Sequence, residues 1–522
     1  HPDTGTLFAT WLSKEATEAN HVKKETPVMV VMGNPPYSGE SQNKGEWIMN
    51  LMDDYKKEPG GIEKLKERNP KWINDDYVKF LRYGQHFIEN NEKGILAFVN
   101  PHGFLDNSTF RGMRWHLLKT YDKIYIIDLH GNSKKQEVCP DGSKDENVFD
   151  ITQGVSINIF IKTGEKKANK LGQIFHYDLY GKRNKKYNFL VENNTNTISY
   201  KQIPNNEPMY FMVQKDFALE EEYEKGFTFA EIFKVKNVGI VTSRDNFIID
   251  KNEKILKQKI KDFFTLEKEI LMNKYKIKEN KTWKIDQVKT KAKDFKETYL
   301  KKISYRPFDN RYIYYEDNFI ERNRFDVMQH LIYKTNLGIM TNKKIEIGDF
   351  AHVFIYRNIV ESHAVSLKEI NYVFPLYLYT KNDYSDYERK PNLNMEIVNS
   401  ISEKLNLTFT NEKEDTENTF APIDLLDYIY GVLHSLNYRK KYKEFLKIDF
   451  PRVPYPDDAD MFWAFAEKGK QLRELHLMES PELENLITSY PVSGDNIVEK
   501  PTFNGDEIGQ VRINTEQYFD GV

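Results

Sequence analysis

A single cysteine, Cys139, occurs among the 522 residues. One thiol excludes an intramolecular disulfide framework and any cysteine cluster around zinc. No run approaches the ~18–20 apolar residues that a membrane-crossing helix needs, and the mean hydropathy is -0.69. A secretory leader pattern is lacking as well. Together these absences predict a soluble chain in a reducing, cytoplasmic setting. An excess of one charge sign is also missing: 76 Lys and Arg stand against 79 Asp and Glu, leaving -3. A basic coat over the whole surface is thereby excluded, although local basic faces are not. There is no GxGxxG turn, no HExxH and no internal repeat. The chain starts at His1 rather than Met, which reads as a processed, trimmed or partial product.

At about 100–200 residues per domain, the length predicts two to four domains. Aromatic residues reach 14%. Over the first ~165 residues, apolar runs and helical spacings alternate. Helices are expected over Thr6 to Asn20, Asp75 to Glu89 (the leading acids as caps) and Thr109 to Thr120. Strands are expected over Pro27 to Met32, Gly94 to Asn100, Tyr125 to Leu129 and Gly154 to Ile161. Such alternation predicts an α/β sheet with covered faces. Beyond it, the texture becomes mixed and aromatic. Between Lys251 and Lys302 lysines outnumber acids by more than two to one, which fits a solvated face or a DNA-facing one equally well. Asn382 to Asn418 reads as a polar, partly acidic linker or exposed arm, and Ile423 to Leu446 and Phe462 to Met478 as helices.

The strongest chemical signal is Asn34-Pro35-Pro36-Tyr37, directly after a Val-rich strand. The carboxyl end of a parallel sheet is where α/β enzymes bind ligands. Two prolines stiffen the backbone and remove two N–H donors. Carbonyl acceptors, an Asn side chain and an aromatic face remain. That set suits methylation of a ring-conjugated amine, whose delocalised lone pair makes it a poor nucleophile. Two acceptors, Asn34 Oδ1 and the Pro35 carbonyl, can each take one amine hydrogen and localise the lone pair, with no general base. Tyr37 can stack on a base flipped out of its duplex. A rigid strand-to-loop turn is the plainer reading of the same four residues.

The segments GNPPYSGESQNKGEWI, INDDYVKFLRYGQHFIE, GILAFVNPHGFLDNSTFRGMRWHLLKTYDKIYIIDLHGNSKK and NVFDITQGVSINIFIKTG follow in that order. They resemble gamma-class N6-adenine DNA methyltransferases, and most of all the methyltransferase and target-recognition part of Type ISP (single-chain Type I) restriction–modification enzymes. GIVTSRDNF, YRPFDNRYIYY and DYIYGVLHSLNYRKKYKEFLKIDFPRVPYP extend the resemblance over nearly the whole chain. It implies a Rossmann-like S-adenosylmethionine-dependent methyltransferase sheet in residues 1–200. A mixed α+β target recognition domain over 201–380 and a linker with a helical C-terminal region over 381–522 follow. It further implies site-specific methylation of adenine in double-stranded DNA. Asn34, Pro35, Pro36 and Tyr37 take the catalytic positions. Phe149 matches the second aromatic that holds the flipped base, with Phe160 as the fallback. Lys134 and Lys135 are candidate phosphate contacts, and Arg244, Arg306, Arg311, Arg322 and Arg324 candidate base or phosphate contacts. No catalytic metal is expected, because His21, His86, His102, His116 and His130 show no ligand spacing with carboxylates.

One departure matters. The family binds its methyl donor on a Phe-x-Gly-x-Gly loop upstream of the catalytic tetrapeptide, and no such loop occurs here. Truncation is the simplest account, with the cofactor half-site, a helicase motor and a nuclease upstream in the same polypeptide. Two other readings stay open: a DNA-recognition fragment without catalysis, and a methyltransferase of a protein glutamine or an RNA amine.

Overall fold

The computed structural model describes residues 7–39, 41–67, 71–135, 137–215, 218–332, 335–346, 348–381, 387–414, 416–504 and 509–521. Contacts divide the chain into two compact units between residues 216 and 217. Among the described residues, no helix is long and apolar enough to cross a membrane.

The first unit is built on one mixed sheet. Its elements are α1 (Leu7–Glu25), β1 (Val30–Gly33), α2 (Glu46–Met52), α3 (Asp76–Glu89), β2 (Gly94–Pro101), α4 (Arg111–Thr120), β3 (Lys123–Asp128), β4 (Val155–Lys162), β5 (Gln173–Asp178), α5 (Arg183–Glu192) and β6 (Lys201–Ile203). The six strands lie in the order β1-β2-β4-β3-β5-β6. β1 runs parallel to β2, with Gly33 opposite Phe98. β3 runs parallel to β5, and β4 is antiparallel to both of its neighbours. The sheet is therefore less regular than a parallel α/β sheet. The physical cause is the connection between β3 and β4: the described residues of 129–154 contain no helix to carry the chain back across the sheet, so the strand returns antiparallel.

Helix α3 starts where its acidic lead predicts. Asp75 is its N-cap, and its carboxylate accepts from Tyr77 N. Val78, Leu81 and Ile88 turn into a core shared with Leu96, Phe98, Leu117, Ile124 and Phe160. The fallback aromatic Phe160 is fully buried there against Tyr121. A second cluster, Ile127, Leu129, Val148, Val155, Leu179 and Ile198, packs with Tyr37 and Phe149. Strand β5 and helix α5 fall in a polar stretch with no strand or helix periodicity strong enough to announce them.

The second unit holds two aromatic-rich cores. One gathers Ile249, Phe263, Ile303, Ile313 and Val360 around the antiparallel strands Leu300–Arg306 and Asp309–Tyr314. The other joins Phe229, Phe233, Ile355 and Phe374 to Val398, Ile401, Leu426, Tyr430 and Phe462. Residues beyond 380 thus complete a core begun before 380. Here the structure corrects the reading of Asn382 to Asn418 as a linker. Residues 382–386 and 415 lie outside the described residues, but Tyr387–Pro391 pairs with Tyr377–Lys381, and Met395–Leu405 is a helix that Asn394 caps. Its Ile397, Val398, Ile401 and Leu405 are buried at helical spacing, a pattern that the surrounding Asn, Glu and Ser obscure. The helices Pro422–His434 and Ala459–His476 cross closely: a Cβ on Gly469 would stand 1.8 Å from the Asp427 carbonyl oxygen. Asp458 caps the later helix by accepting from Met461 N.

Candidate functional site

β1 ends at Gly33, and the next four residues lie at the same sheet edge where β2 passes Val99 into Pro101 and His102. Pro35 is buried, while Asn34 and Pro36 are exposed and Tyr37 is half-buried. The Tyr37 hydroxyl lies 2.8 Å from Asn34 Oδ1 and 3.0 Å from the Val99 carbonyl oxygen. It donates its one proton toward both. The Asn34 amide oxygen keeps a free lone pair and is held in one direction. Burial pushes the Tyr37 pKa up to about 12, so this donor stays protonated at any working pH. The loop beyond is tied down by the same carboxylate that caps α3: Asp75 Oδ1 accepts from Ser38 N at 3.1 Å.

Phe149 sits half-buried on the long β3–β4 connection, against the same apolar cluster as Tyr37. Its segment is held by Asn147, whose side chain donates to Gly131 O and Gln153 O and accepts from Phe149 N. Below it, Lys186 is fully buried and donates to Leu129 O, Glu146 O and the Asp145 carboxylate. Sequence reasoning passed over these anchors, since lone Asn, Asp and Lys residues carry no spacing signal. It also passed over Asn100, Ser156 and Asn158. These buried polar residues meet across β2 and β4, with Asn158 Nδ2 3.1 Å from Asn100 Oδ1.

The fold brings two of the histidines together. His102, after β2, and His130, after β3, lie 28 residues apart, yet their ring centroids are 6.1 Å apart. Asp128 Oδ1 stands 2.9 Å from His102 Nδ1. Asp178 Oδ1 stands 3.0 Å from His130 Nε2. Burial of the His130 ring opposes its charging, but Asp128, Asp178 and Glu137 outweigh that and push its pKa up to about 10.

Lys134 on this connection is exposed, and Lys135 is half-buried with Nζ 4.0 Å from Asp106. In the second unit the arginines separate. Arg244 is 8% exposed, stacks on Trp283 at 3.9 Å and faces Glu321 at 3.5 Å. Such a guanidinium is committed to the interior and is not presented to solvent. Arg306 and Arg311 lie 4.1 and 4.0 Å from the Tyr305 ring centroid and pair with Glu361 and Asp309. Arg322 is exposed, its backbone paired with Val241. Arg324, half-buried with φ 54, turns the chain into the helix Phe325–Ile332. Much of the lysine-rich stretch is neutralised locally, by pairs such as Lys259–Asp250, Lys268–Glu279 and Lys274–Asp262.

β1 is an edge strand of the sheet, with Val30 and Met32 58% and 79% exposed. Among the described residues, no strand or glycine-rich turn covers that edge.

A methylase-like unit followed by a separate recognition unit is the class that this layout defines. The chain belongs to the Type ISP family: residues 231–522 match the Type ISP C-terminal specificity domain. Residues 8–135 match the Eco57I restriction-modification methylase family. No curated protein matches. Among solved structures, the fold is similar to the ATP-dependent Type ISP restriction-modification enzyme LlaBIII bound to DNA, at 21% identity and TM-score 0.70 over 100% of this chain and 35% of that one. It is also similar to a nuclease-deletion mutant of the Type ISP enzyme LlaGI with a DNA substrate mimic (20%, 0.68, 100% and 41%). The DrdV–DNA complex is a third (22%, 0.69, 97% and 51%). The chain thus spans about a third to a half of these proteins.

Proposed function

We propose that the polypeptide carrying this chain is a site-specific DNA adenine-N6 methyltransferase of a restriction–modification system. In this reading residues 1–200 handle the base, and 201–380 with 381–522 recognise the duplex. The carrying observation is the Asn34 amide oxygen, exposed at the end of β1 and oriented by the Tyr37 hydroxyl. The β1-β2-β4-β3 order, with β4 reversed, supports one half of a Rossmann-like methyltransferase sheet.

The residues of this chain act on the acceptor. Asn34 Oδ1 and the Pro35 carbonyl each accept one hydrogen of the adenine amine, drawing its nitrogen from planar toward tetrahedral and concentrating the lone pair. Preorganised dipoles achieve this at no reorganisation cost during transfer. Tyr37 and Phe149 offer aromatic faces to a base swung out of the stack, and their shared apolar cluster keeps them rigid. Lys134 and Arg322, both exposed, are placed to meet phosphates. The methyl donor, S-adenosylmethionine, is bound by parts of the polypeptide beyond these residues. Double-stranded DNA is the partner, as the solved relatives bind DNA. A nuclease and motor in the same polypeptide fit the partial coverage of those relatives. The open β1 edge also supports a second reading for the chain taken alone, a DNA-recognition fragment without transfer.

Nucleoside analysis of genomic DNA from cells expressing the full-length gene tests the proposal. Wild type is expected to accumulate N6-methyladenine and Asn34→Ala to lack it. Soluble, DNA-binding wild-type protein that leaves adenine unmodified would overturn it in favour of a protein or RNA acceptor.

A further inference from the structure

His102 and His130 do more than stack. One ring nitrogen each of His102 and His130 and a Glu137 carboxylate oxygen lie within 4.8 Å of one another. Among the described residues His130 Nδ1 has no hydrogen-bond partner, although the residue is only 6% exposed. It stands 3.6 Å from Glu137 Oε1. That separation is too long for a hydrogen bond. It is near the roughly 3.4 Å between two ligand atoms that each sit ~2.1 Å from one tetrahedral ion. Among the described residues His102 Nε2 meets the Asn132 amide at 3.3 Å, a weak contact that an ion would replace.

The far nitrogen of each ring is held by a carboxylate. Asp128 takes His102 Nδ1 at 2.9 Å and Asp178 takes His130 Nε2 at 3.0 Å. This is how metal-bound imidazoles are oriented and made more basic. Glu137 is steadied by accepting from Asn132 N at 2.7 Å. Tyr180 stacks on the His130 ring at 3.8 Å. Space for the His102 ring depends on Gly154, where a Cβ would stand 2.4 Å from its Nε2. Three carboxylates, Asp128, Glu137 and Asp178, surround the two rings, so a divalent ion that entered in place of ring protons would leave the local charge balanced.

We propose that His102, His130 and Glu137 form a binding site for one first-row divalent metal ion, with zinc the best match to two imidazoles and a carboxylate. The ion would pin the β3–β4 connection, with its Lys134 and Phe149, onto the sheet edge beside Tyr37. Its place is structural, since transfer of a methyl group from a sulfonium needs no Lewis acid.

The test uses the 522-residue chain, stripped with chelator and then titrated with Co²⁺ or Zn²⁺, alongside elemental analysis of the chain as purified. One equivalent of Co²⁺ is expected to develop visible d–d absorption, and Zn²⁺ is expected to raise the melting temperature. His130→Gln and Glu137→Gln should each weaken binding at least 10-fold, and Asp178→Asn, which acts through His130, by 10–100-fold. Glu137 is half-buried on a loop, so Glu137→Gln keeps the test valid if the histidine variant misfolds. Absence of a cobalt spectrum with no thermal shift at 100-fold excess metal would overturn the site and leave a metal-free ion-pair network. Unchanged binding in Glu137→Gln and His130→Gln would overturn it equally, by placing the ion elsewhere.

Discussion

Replacing Tyr37 with Phe isolates one hydroxyl from one aromatic ring. That hydroxyl shares its proton between Asn34 Oδ1 at 2.8 Å and Val99 O at 3.0 Å. The group is half-buried, and a hydrogen bond of this kind is worth about 0.5–1.5 kcal/mol net. If its effect is to keep the Asn34 amide aimed at the acceptor amine, the loss appears in the transfer step. A factor of ten corresponds to about 1.4 kcal/mol, so transfer should fall roughly 2- to 10-fold. Asn34→Ala removes the acceptor itself and should cost at least about 100-fold, as deleting a preorganised transition-state dipole does. The Phe ring still stacks, so duplex binding should be unchanged in Tyr37→Phe. Burial holds the Tyr37 pKa at about 12, so the ratio of wild type to variant should stay flat from pH 6 to 9. The assay is single-turnover incorporation of labelled methyl groups into a duplex by the full-length enzyme, with DNA affinity measured in parallel. Wild-type transfer by Tyr37→Phe would refute the orienting role. A loss as deep as that of Asn34→Ala would refute the division of labour between the two residues.

Other consequences follow from the packing. Lys186→Met strands the Asp145 carboxylate, fully buried in the native pair, and should lower the unfolding free energy by about 3–5 kcal/mol; a change below 1 kcal/mol in urea melts would contradict this. Gly469→Ala forces a Cβ toward the Asp427 carbonyl at 1.8 Å. It should separate the two crossing helices at a cost of about 2–3 kcal/mol, seen as a lowered melting temperature with the helical circular dichroism retained. Asp262, 7% exposed, has its carboxyl lowered to about 2 by hydrogen bonds from Lys274, Tyr275 and Gln258. Its folded pKa lies below the unfolded value of about 3.9, so the ionised group stabilises the fold above that pH and ceases to as pH falls from 4 to 2. Asp262→Asn should cost about 1–2 kcal/mol at pH 7 and almost nothing at pH 2, and an equal cost at both would show that the carboxylate's charge is not what matters.

Local chemistry was legible along the chain wherever one element carried its own signal. The β1 run into Asn34-Pro35-Pro36-Tyr37, the Asp75 cap of α3, and the apolar strands over 94–101, 123–128 and 155–162 depend on neighbours within one turn or one strand. Propensity, capping and prolines set these directly. The lone cysteine and balanced charge were decisive in the same way, because composition does not depend on folding. The pairing of distant segments was not legible. The reversed direction of β4 follows from a connection without a helix, and the burial of Arg244 from Trp283 and Glu321 arriving around it. The helix at 395–405 was hidden in polar text until its four apolar residues met the core of the second unit. His102, His130 and Glu137 have no motif spacing, and they converge because β2 and β3, parallel to each other on either side of β4, end at one edge. Local sequence specifies what each residue can do, whereas which residues act together is decided by strand order, which rests on contacts between segments far apart in the chain.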